Sequence, residues 1–158
     1  MNKVTPFLWF DREAEEAMNF YVSVFKNSQV VNVNTVDGRV MTVNFELEGQ
    51  PFIALNAGPH FKFNEAVSFF INCDTQEEVD MFWERLSEGG ETSQCGWLKD
   101  RWGLSWQVVP RALTRLMGDP NPVKSKAVLD AMLKMKKIVI AELQLAYDKA
   151  GEAPVLKS

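Results

Sequence analysis

The chain is 158 residues long, 46% apolar and 24% charged, with a formal net charge of -4, long enough for one domain or two fused half-domains with a proper core. The acidic balance gives no general attraction for a phosphate backbone, so no nucleic-acid partner is expected. No apolar run nears the roughly 20 residues of a bilayer span, the start shows no signal-peptide pattern, and Cys73 and Cys95 lack CxxC spacing, so a cytoplasmic protein with free thiols and no membrane partner is expected.

Residues 4–10 (VTPFLWF) show no solvent-facing alternation and predict a strand buried on both faces. Asp11 is the expected N-cap of the helix that follows, with Glu13, Glu15 and Glu16 in its first turn. Ala14, Ala17, Met18, Tyr21, Val22 and Phe25 recur at helical spacing and mark its buried face; Asn27-Ser28 ends it. Strands are predicted over 29–36, 40–47 and 52–55. Asp37-Gly38 forms a tight hairpin turn between the first two, and Gly49-Gln50-Pro51 a second turn. The order is βαβββ. A connector over 58–65 contains Gly58-Pro59 and the alternating Phe61-Lys62-Phe63.

The pattern then repeats. Residues 66–73 predict a strand, and Thr75-Gln76-Glu77-Glu78 matches a capping box. Val79, Phe82, Trp83 and Leu86 form a helical stripe, and Gly89-Gly90 stops the helix. Strands over 92–99 and 104–109 flank an Asp100-Arg101-Trp102-Gly103 turn, so the copy is expected to be one strand shorter or more irregular than the first. Beyond Pro110 the pattern is helical. Residues 112–117 end at Gly118, Pro122 opens a helix with Val128, Ala131, Met132 and Met135 on one face, and a last helix carries Ile140, Leu143 and Tyr147. The organisation is thus paired modules over 1–110 (about 1–57 and 66–110, with connector 58–65), a helical extension over 111–150 that covers an edge or builds a dimer contact, and a tail over 151–158. A duplicated unit places the function between its copies.

The paired βαβββ pattern resembles the vicinal oxygen chelate superfamily of glyoxalases, extradiol dioxygenases and bleomycin-resistance proteins. Thr5-Pro6-Phe7-Leu8-Trp9-Phe10-Asp11, Asn19-Phe20-Tyr21, Gly58-Pro59-His60-Phe61-Lys62-Phe63, Ser68-Phe69-Phe70, Gln94-Cys95-Gly96-Trp97 and Gly103-Leu104-Ser105-Trp106-Gln107 are similar to its PhnB-like branch, and residues 131–138 look like that branch's helical tail. The resemblance implies an α+β fold, two βαβββ modules forming a curved mixed sheet around a pocket plus a C-terminal helical extension, and a homodimer. Members of the branch often carry a demethylubiquinone 3-methyltransferase description. A methyltransferase of the usual type needs a Gly-rich loop after its first strand, and this chain has Asp11-Arg12-Glu13-Ala14 there.

Enzymes of the superfamily hold a divalent metal on His or Glu ligands. The matching positions here are Thr5, Ala54 or Asn56, Ser68 (or Val67) and Gln107, none of them an imidazole, carboxylate or thiolate. Such a set does not repay stripping Zn, Ni or Fe of water, so neither metal nor other cofactor is expected. His60, the sole histidine, lies in the connector.

Strand alternation then gives the expected pocket. Thr5, Phe7 and Trp9 share one strand's inner face, Phe52, Ala54 and Asn56 a second, Ser68 and Phe70 a third, and Ser105, Gln107 and Val109 a fourth; their alternative role is to fill the core. Trp97, Trp102 and Trp106 either line a ligand or pack in the core. The expected ligand-binding set is Thr5, Phe7, Trp9, Asn56, Ser68, Phe70, Trp97 and Gln107, suited to a small organic molecule held by stacking and hydrogen bonds. Cys95 and Gln107 are the catalytic candidates. Cys95 is reactive if Lys99 or Arg101 lowers its pKa, and otherwise a packed, inert thiol. Cys73 faces the helices, and Asp100 forms a turn and pairs locally with Arg101. The function expected is metal-free binding of a small organic molecule, whether by an unassigned enzyme or a non-catalytic resistance protein. The alternatives are a metal-dependent glyoxalase or dioxygenase-type enzyme and a degenerate module that works through its dimer surface.

Overall fold

In the computed structural model, residues 2–152 are described, and the chain divides into two compact units at the Phe63/Asn64 boundary. The first unit runs β1 (Phe7–Phe10), α1 (Ala14–Val24), β2 (Ser28–Val36), β3 (Arg39–Leu47) and β4 (Gln50–Asn56). Its sheet has the order β1-β4-β3-β2, with β1 parallel to β4 and the other pairs antiparallel. Register places Leu8 beside Ala54, and Ala54 beside Val43. These, with Phe10, Phe45, Leu47 and Phe52, form the buried face against which α1 lays Ala14, Ala17, Met18, Tyr21 and Val24. The stripe read from sequence therefore forms, with Val24 in place of the half-buried Val22. Strand β1 is not buried on both faces: Phe7 is 55% exposed while Leu8 is 6% exposed.

Asp11 is not the cap of α1. The helix starts three residues later, Glu13 occupies the cap position without a side-chain bond, and the Asn56 Oδ1 of β4 accepts from Ala14 N–H at 2.8 Å. A long-range amide has taken the place of a local carboxylate. The hairpin turn forms on Asp37 and Gly38 at φ 52° and 76°, which the right-handed strand twist favours. The next turn uses Glu48 and Gly49, at φ 49° and 83°, so β4 begins at Gln50, two residues earlier than expected.

The second unit contains β5 (Ser68–Cys73), α2 (Gln76–Ser87), β6 (Glu91–Thr92), β7 (Trp97–Lys99) and β8 (Ser105–Pro110), in the sheet order β5-β8-β7-β6. It has all four strands, so the repeat is complete and irregular, not one strand short. The stretch expected as one strand over 92–99 breaks because Cys95 and Gly96 both take positive φ, 60° and 84°, and turn the chain between β6 and β7. Thr75 caps α2 by accepting from Glu78 N–H at 3.2 Å, and Glu78 Oε1 accepts from Asp74 N–H at 2.6 Å, so the expected capping box closes one residue early. Val79, Phe82 and Leu86 are its buried side.

Three helices follow: α3 (Arg111–Met117), α4 (Pro122–Met132) and α5 (Ile140–Gly151). Pro122 occupies the first turn of α4, and Asn121 Oδ1 accepts from Val123 N–H at 2.9 Å. Their core is Leu113, Leu116, Val128, Met135, Ile138 and Leu143, continuous with Val109 at the end of β8. Gly151 still belongs to α5, and the rest of the expected tail beyond Glu152 lies outside the described residues. The fold is α+β: two βαβββ modules, each an open four-stranded mixed sheet, with a C-terminal helical extension. Among the described residues no helix is long and apolar enough to cross a membrane.

Candidate functional site

In the second unit the strand registers bring several expected residues onto the face away from Cys73, Leu98 and Trp106. Ser68 lies beside Ser105 and Phe70 beside Gln107, while β7 sets Lys99 beside Ser105 and Trp97 beside Gln107. Gln107 Nε2 donates to Ser68 Oγ at 3.0 Å. Phe70 is 50% exposed on this face, and Trp97 is half-buried.

Beside this row is a hollow of about 490 Å³ whose walls include Glu65, Glu91, Gln94, Cys95, Trp97, Lys99 and Ser105. Ser68, Phe70 and Gln107 share the face but not the lining. Lys99 Nζ meets Glu65 Oε1 at 2.8 Å; that hydrogen bond and charge hold the Glu65 carboxyl below its usual pKa and raise that of Lys99. Ser105 is fully buried, and its Oγ has no hydrogen-bond partner. A buried hydroxyl without a partner forgoes about 1–3 kcal/mol, so the wall carries an unmet hydrogen-bonding demand.

Cys95 does line the hollow, but from a tight turn and not from a strand. Of the two cations considered as activators, Lys99 is held by Glu65, and Arg101 reaches Glu88 at 3.8 Å and lies over the Trp102 ring at 5.2 Å. Cys73 is buried among the helix-facing residues, where burial, then the nearby Glu78 charge, pushes its thiol up to about 12. A thiol in that state is inert at neutral pH.

In the first unit Phe7 and Trp9 pair in register with Ile53 and Leu55, not with Phe52, Ala54 and Asn56. The alternation expected for β4 is therefore reversed, because a parallel neighbour shares a face with its register partner. Asn56 is turned to the helix side, where its Oδ1 bonds α1 and its Nδ2 donates to Val40 O at 3.2 Å. Trp9 is braced by the connector: its Nε1 donates to Gly58 O at 2.9 Å, and its ring meets Phe61 and His60 edge-on at 4.9 and 6.4 Å. Thr5 borders a separate hollow of about 590 Å³ with Asn44, Glu46 and Ile53.

Two features escaped the sequence reading. Asn32 donates to Asn34 at 3.1 Å and Asn34 to Thr42 at 3.0 Å, giving the first sheet a polar ladder whose only signal was two asparagines in alternation. Asp100 is 2% exposed and is far more than a turn residue. Its Oδ1 accepts from Trp102 and Leu104 N–H at 3.0 Å each, and its Oδ2 from the Trp106 indole at 2.9 Å.

The positions matching the superfamily's metal ligands do not fit a metal. Ser68 Oγ already accepts from Gln107, Asn56 is committed to α1, and Thr5 offers a neutral hydroxyl. Among the described residues no three His, Cys, Asp or Glu side chains cluster to hold an ion. A set of neutral oxygens without an anion or imidazole is a poor exchange for a transition metal's water.

The comparisons with known proteins agree with this architecture. A family model described as 3-demethylubiquinone-9 3-methyltransferase matches residues 2–109. A solved structure of a PhnB protein from Bacillus cereus, carrying a provisional description of the same kind, is 34% identical, with 69% of this chain and 99% of that one covered at a TM-score of 0.66. Protein PA1353 from Pseudomonas aeruginosa is 18% identical over 70% of this chain and 98% of its own, at a TM-score of 0.58. The fosfomycin resistance protein FosX from Listeria monocytogenes, solved with Mn(II) and sulfate, shares the fold at 16% identity and a TM-score of 0.50, over 66% of this chain and 88% of that one. No curated protein matches the chain. With the family model spanning both βαβββ units and a PhnB protein 34% identical, the chain belongs to the PhnB-like family described as 3-demethylubiquinone-9 3-methyltransferase.

Proposed function

We propose that this chain binds a small organic molecule, without a metal, in the hollow of its second unit. The observation that carries this reading is the unpartnered Ser105 hydroxyl in a wall that also holds Trp97 and the Lys99–Glu65 pair. A volume of about 490 Å³ lies within the roughly 300–1,000 Å³ of small-molecule sites. Trp97 supplies an aromatic surface, Ser105 a donor or acceptor, and Lys99 a charged hydrogen-bond donor. Ser68, Phe70 and Gln107 extend the same face for a ligand larger than the hollow. The methyltransferase description of the family gains no support from the β1–α1 connection, where Asp11, Arg12 and Glu13 stand in place of a glycine-rich cradle for a nucleoside methyl donor. The protein acts as a cytoplasmic homodimer in this proposal, which sedimentation of the purified chain checks for its assembly.

The test is amide chemical-shift mapping with phenol, benzylamine and benzoate as probes. At least one of the three shifts the amides of Thr92, Trp97, Lys99 and Ser105 saturably, and Trp97→Ala weakens it at least tenfold. Unmoved amides with all three probes, or stoichiometric Ni, Zn or Fe in protein purified without chelator, would overturn the reading. Turnover of a bound molecule that disappears in Cys95→Ser or Gln107→Ala would make the site an enzyme's.

A further inference from the structure

We infer that the helical extension positions the wall of this hollow, with Gln76 as the residue that fastens it. The family model ends at residue 109, so α3, α4 and α5 lie beyond the part of the chain that defines the family. The turn that carries Cys95 closes on itself through Trp97 N–H to Gln94 O at 3.1 Å and Ser93 N–H to Trp97 O at 2.8 Å, and it is also tied to the helical extension. Its N–H groups at Cys95 and Gly96 donate to the carbonyls of Met135 and Lys136, both at 2.8 Å, in the segment joining α4 and α5. These two bonds tie the turn to a segment about forty residues away in sequence.

The fit leaves no slack. Gly96 stands at φ +84°, and a Cβ built there would lie 2.8 Å from Val108 O and 2.9 Å from Ile138 Cδ1. Only glycine allows both the backbone conformation and the approach of Ile138. The joining segment is itself fixed on its other side by one amide. Gln76, at the start of α2, donates through Nε2 to Ile138 O at 3.1 Å and accepts through Oε1 from Ile140 N–H at 2.7 Å. Lys137 adds an ion pair with Asp80 at 2.9 Å. Gln76 therefore grips residues 138–140, residues 135–136 grip the Cys95 turn, and that turn is a wall of the hollow.

This inference rests on the ligand-site reading only for what the hollow does; the clamp is tested without any ligand. Cys95 reports the turn, and the fully buried Cys73 reports opening of the sheet core. Each thiol's labelling by iodoacetamide at pH 8 is followed by mass spectrometry. Gln76→Ala raises the rate at Cys95 about fivefold to tenfold, as expected for losing two hydrogen bonds of local opening free energy, while Cys73 stays unlabelled. Gln76→Glu, which sets a carboxylate oxygen against Ile138 O and against Asp80 Oδ1, to which Nε2 donates at 3.0 Å, gives a rise no smaller than that of the alanine variant. Tyr147→Phe, which loses the bond to Asp119 within the same helical extension, leaves both rates unchanged. A Cys95 rate within twofold of wild type in Gln76→Ala refutes the clamp, as does an equal rise at Cys73 or the same rise in Tyr147→Phe. None of these outcomes depends on whether phenol, benzylamine or benzoate binds.

Discussion

Replacing Asp100 with alanine tests the buried carboxylate of the second unit. Its carboxylate accepts three N–H bonds at 2.9 to 3.0 Å, and two of the donors, Leu104 N–H and the Trp106 indole, belong to residues only 3% exposed. Bonds to a charged acceptor contribute about 1.5–3 kcal/mol each, and they are not additive within one turn. The third donor, Trp102 N–H, is on a half-buried residue and regains water more readily. Counting the two buried donors and allowing for the relief of no longer burying a carboxylate, Asp100→Ala costs about 3 kcal/mol. For a chain of this length that lowers Tm by roughly 6–12 °C. Asp100→Asn retains one acceptor oxygen and the shape, but turns an NH₂ or loses charge toward one donor, and costs about 1–2 kcal/mol. Urea unfolding with an unchanged m-value gives the order wild type, Asn, Ala. An alanine variant within about 0.5 kcal/mol of wild type would show that the turn between β7 and β8 is set by Gly103 and packing alone, and the argument would fail.

Two further expectations follow from groups already described. Because the Cys73 thiol is raised to about 12 in the folded protein, above its unfolded value, its contribution is intact below pH 8 and stability is lost as pH climbs from about 9 toward 12; the slope attributable to it, at most about 1.4 kcal/mol per pH unit, is missing in Cys73→Ala when unfolding free energies are compared at pH 8, 9 and 10. Asn56→Ala removes the acceptor for Ala14 N–H and the donor to Val40 O, and lowers stability by about 1–2 kcal/mol, whereas Asp11→Ala, at a position that caps nothing, changes it by less than about 0.5 kcal/mol in the same urea titration.

Local signals carried most of the fold. Helical spacing located α1 and α2, because Ala17, Met18 and Tyr21, or Val79, Phe82 and Leu86, sit on one face whatever the tertiary context, and it located α4 only in part, since that helix ends at Met132 and the expected face residue Met135 lies beyond it. Asp37-Gly38, Gly89 and Pro122 marked turns and ends because their backbone preferences are intrinsic. What failed depended on partners distant in sequence. The face of Asn56 required the register of β1 on β4, and the break at Cys95 required carbonyls from residues 135 and 136. Ser68, Phe70 and Gln107 fall on one face of their sheet, as alternation within β5 and β8 implies, and the register of β7 adds Trp97, whose face the sequence left open. Glu65 and Glu91 were overlooked, since neither lies within a recognisable motif and only the pairing of β6 with β7 brings Glu91 beside Lys99.

The two units also solve one problem in different ways, and the difference bears on which of them presents a site. A helix beginning directly after a buried strand leaves N–H groups that need acceptors. In the first unit the sheet supplies one: Asn56, the last residue of β4, turns inward to Ala14 N–H, and in doing so leaves the face shared by Phe7 and Trp9. In the second unit Thr75 caps α2 locally, so the last residue of β8 is released from that duty. Pro110 stands there, cannot donate, and sends the chain into α3. The consequence runs through the rest of the unit. A local cap leaves Gln76 free to hold the α4–α5 segment, that segment holds the Cys95 turn, and the polar side chains of β5 and β8 stay on the open face instead of being drawn toward the helix.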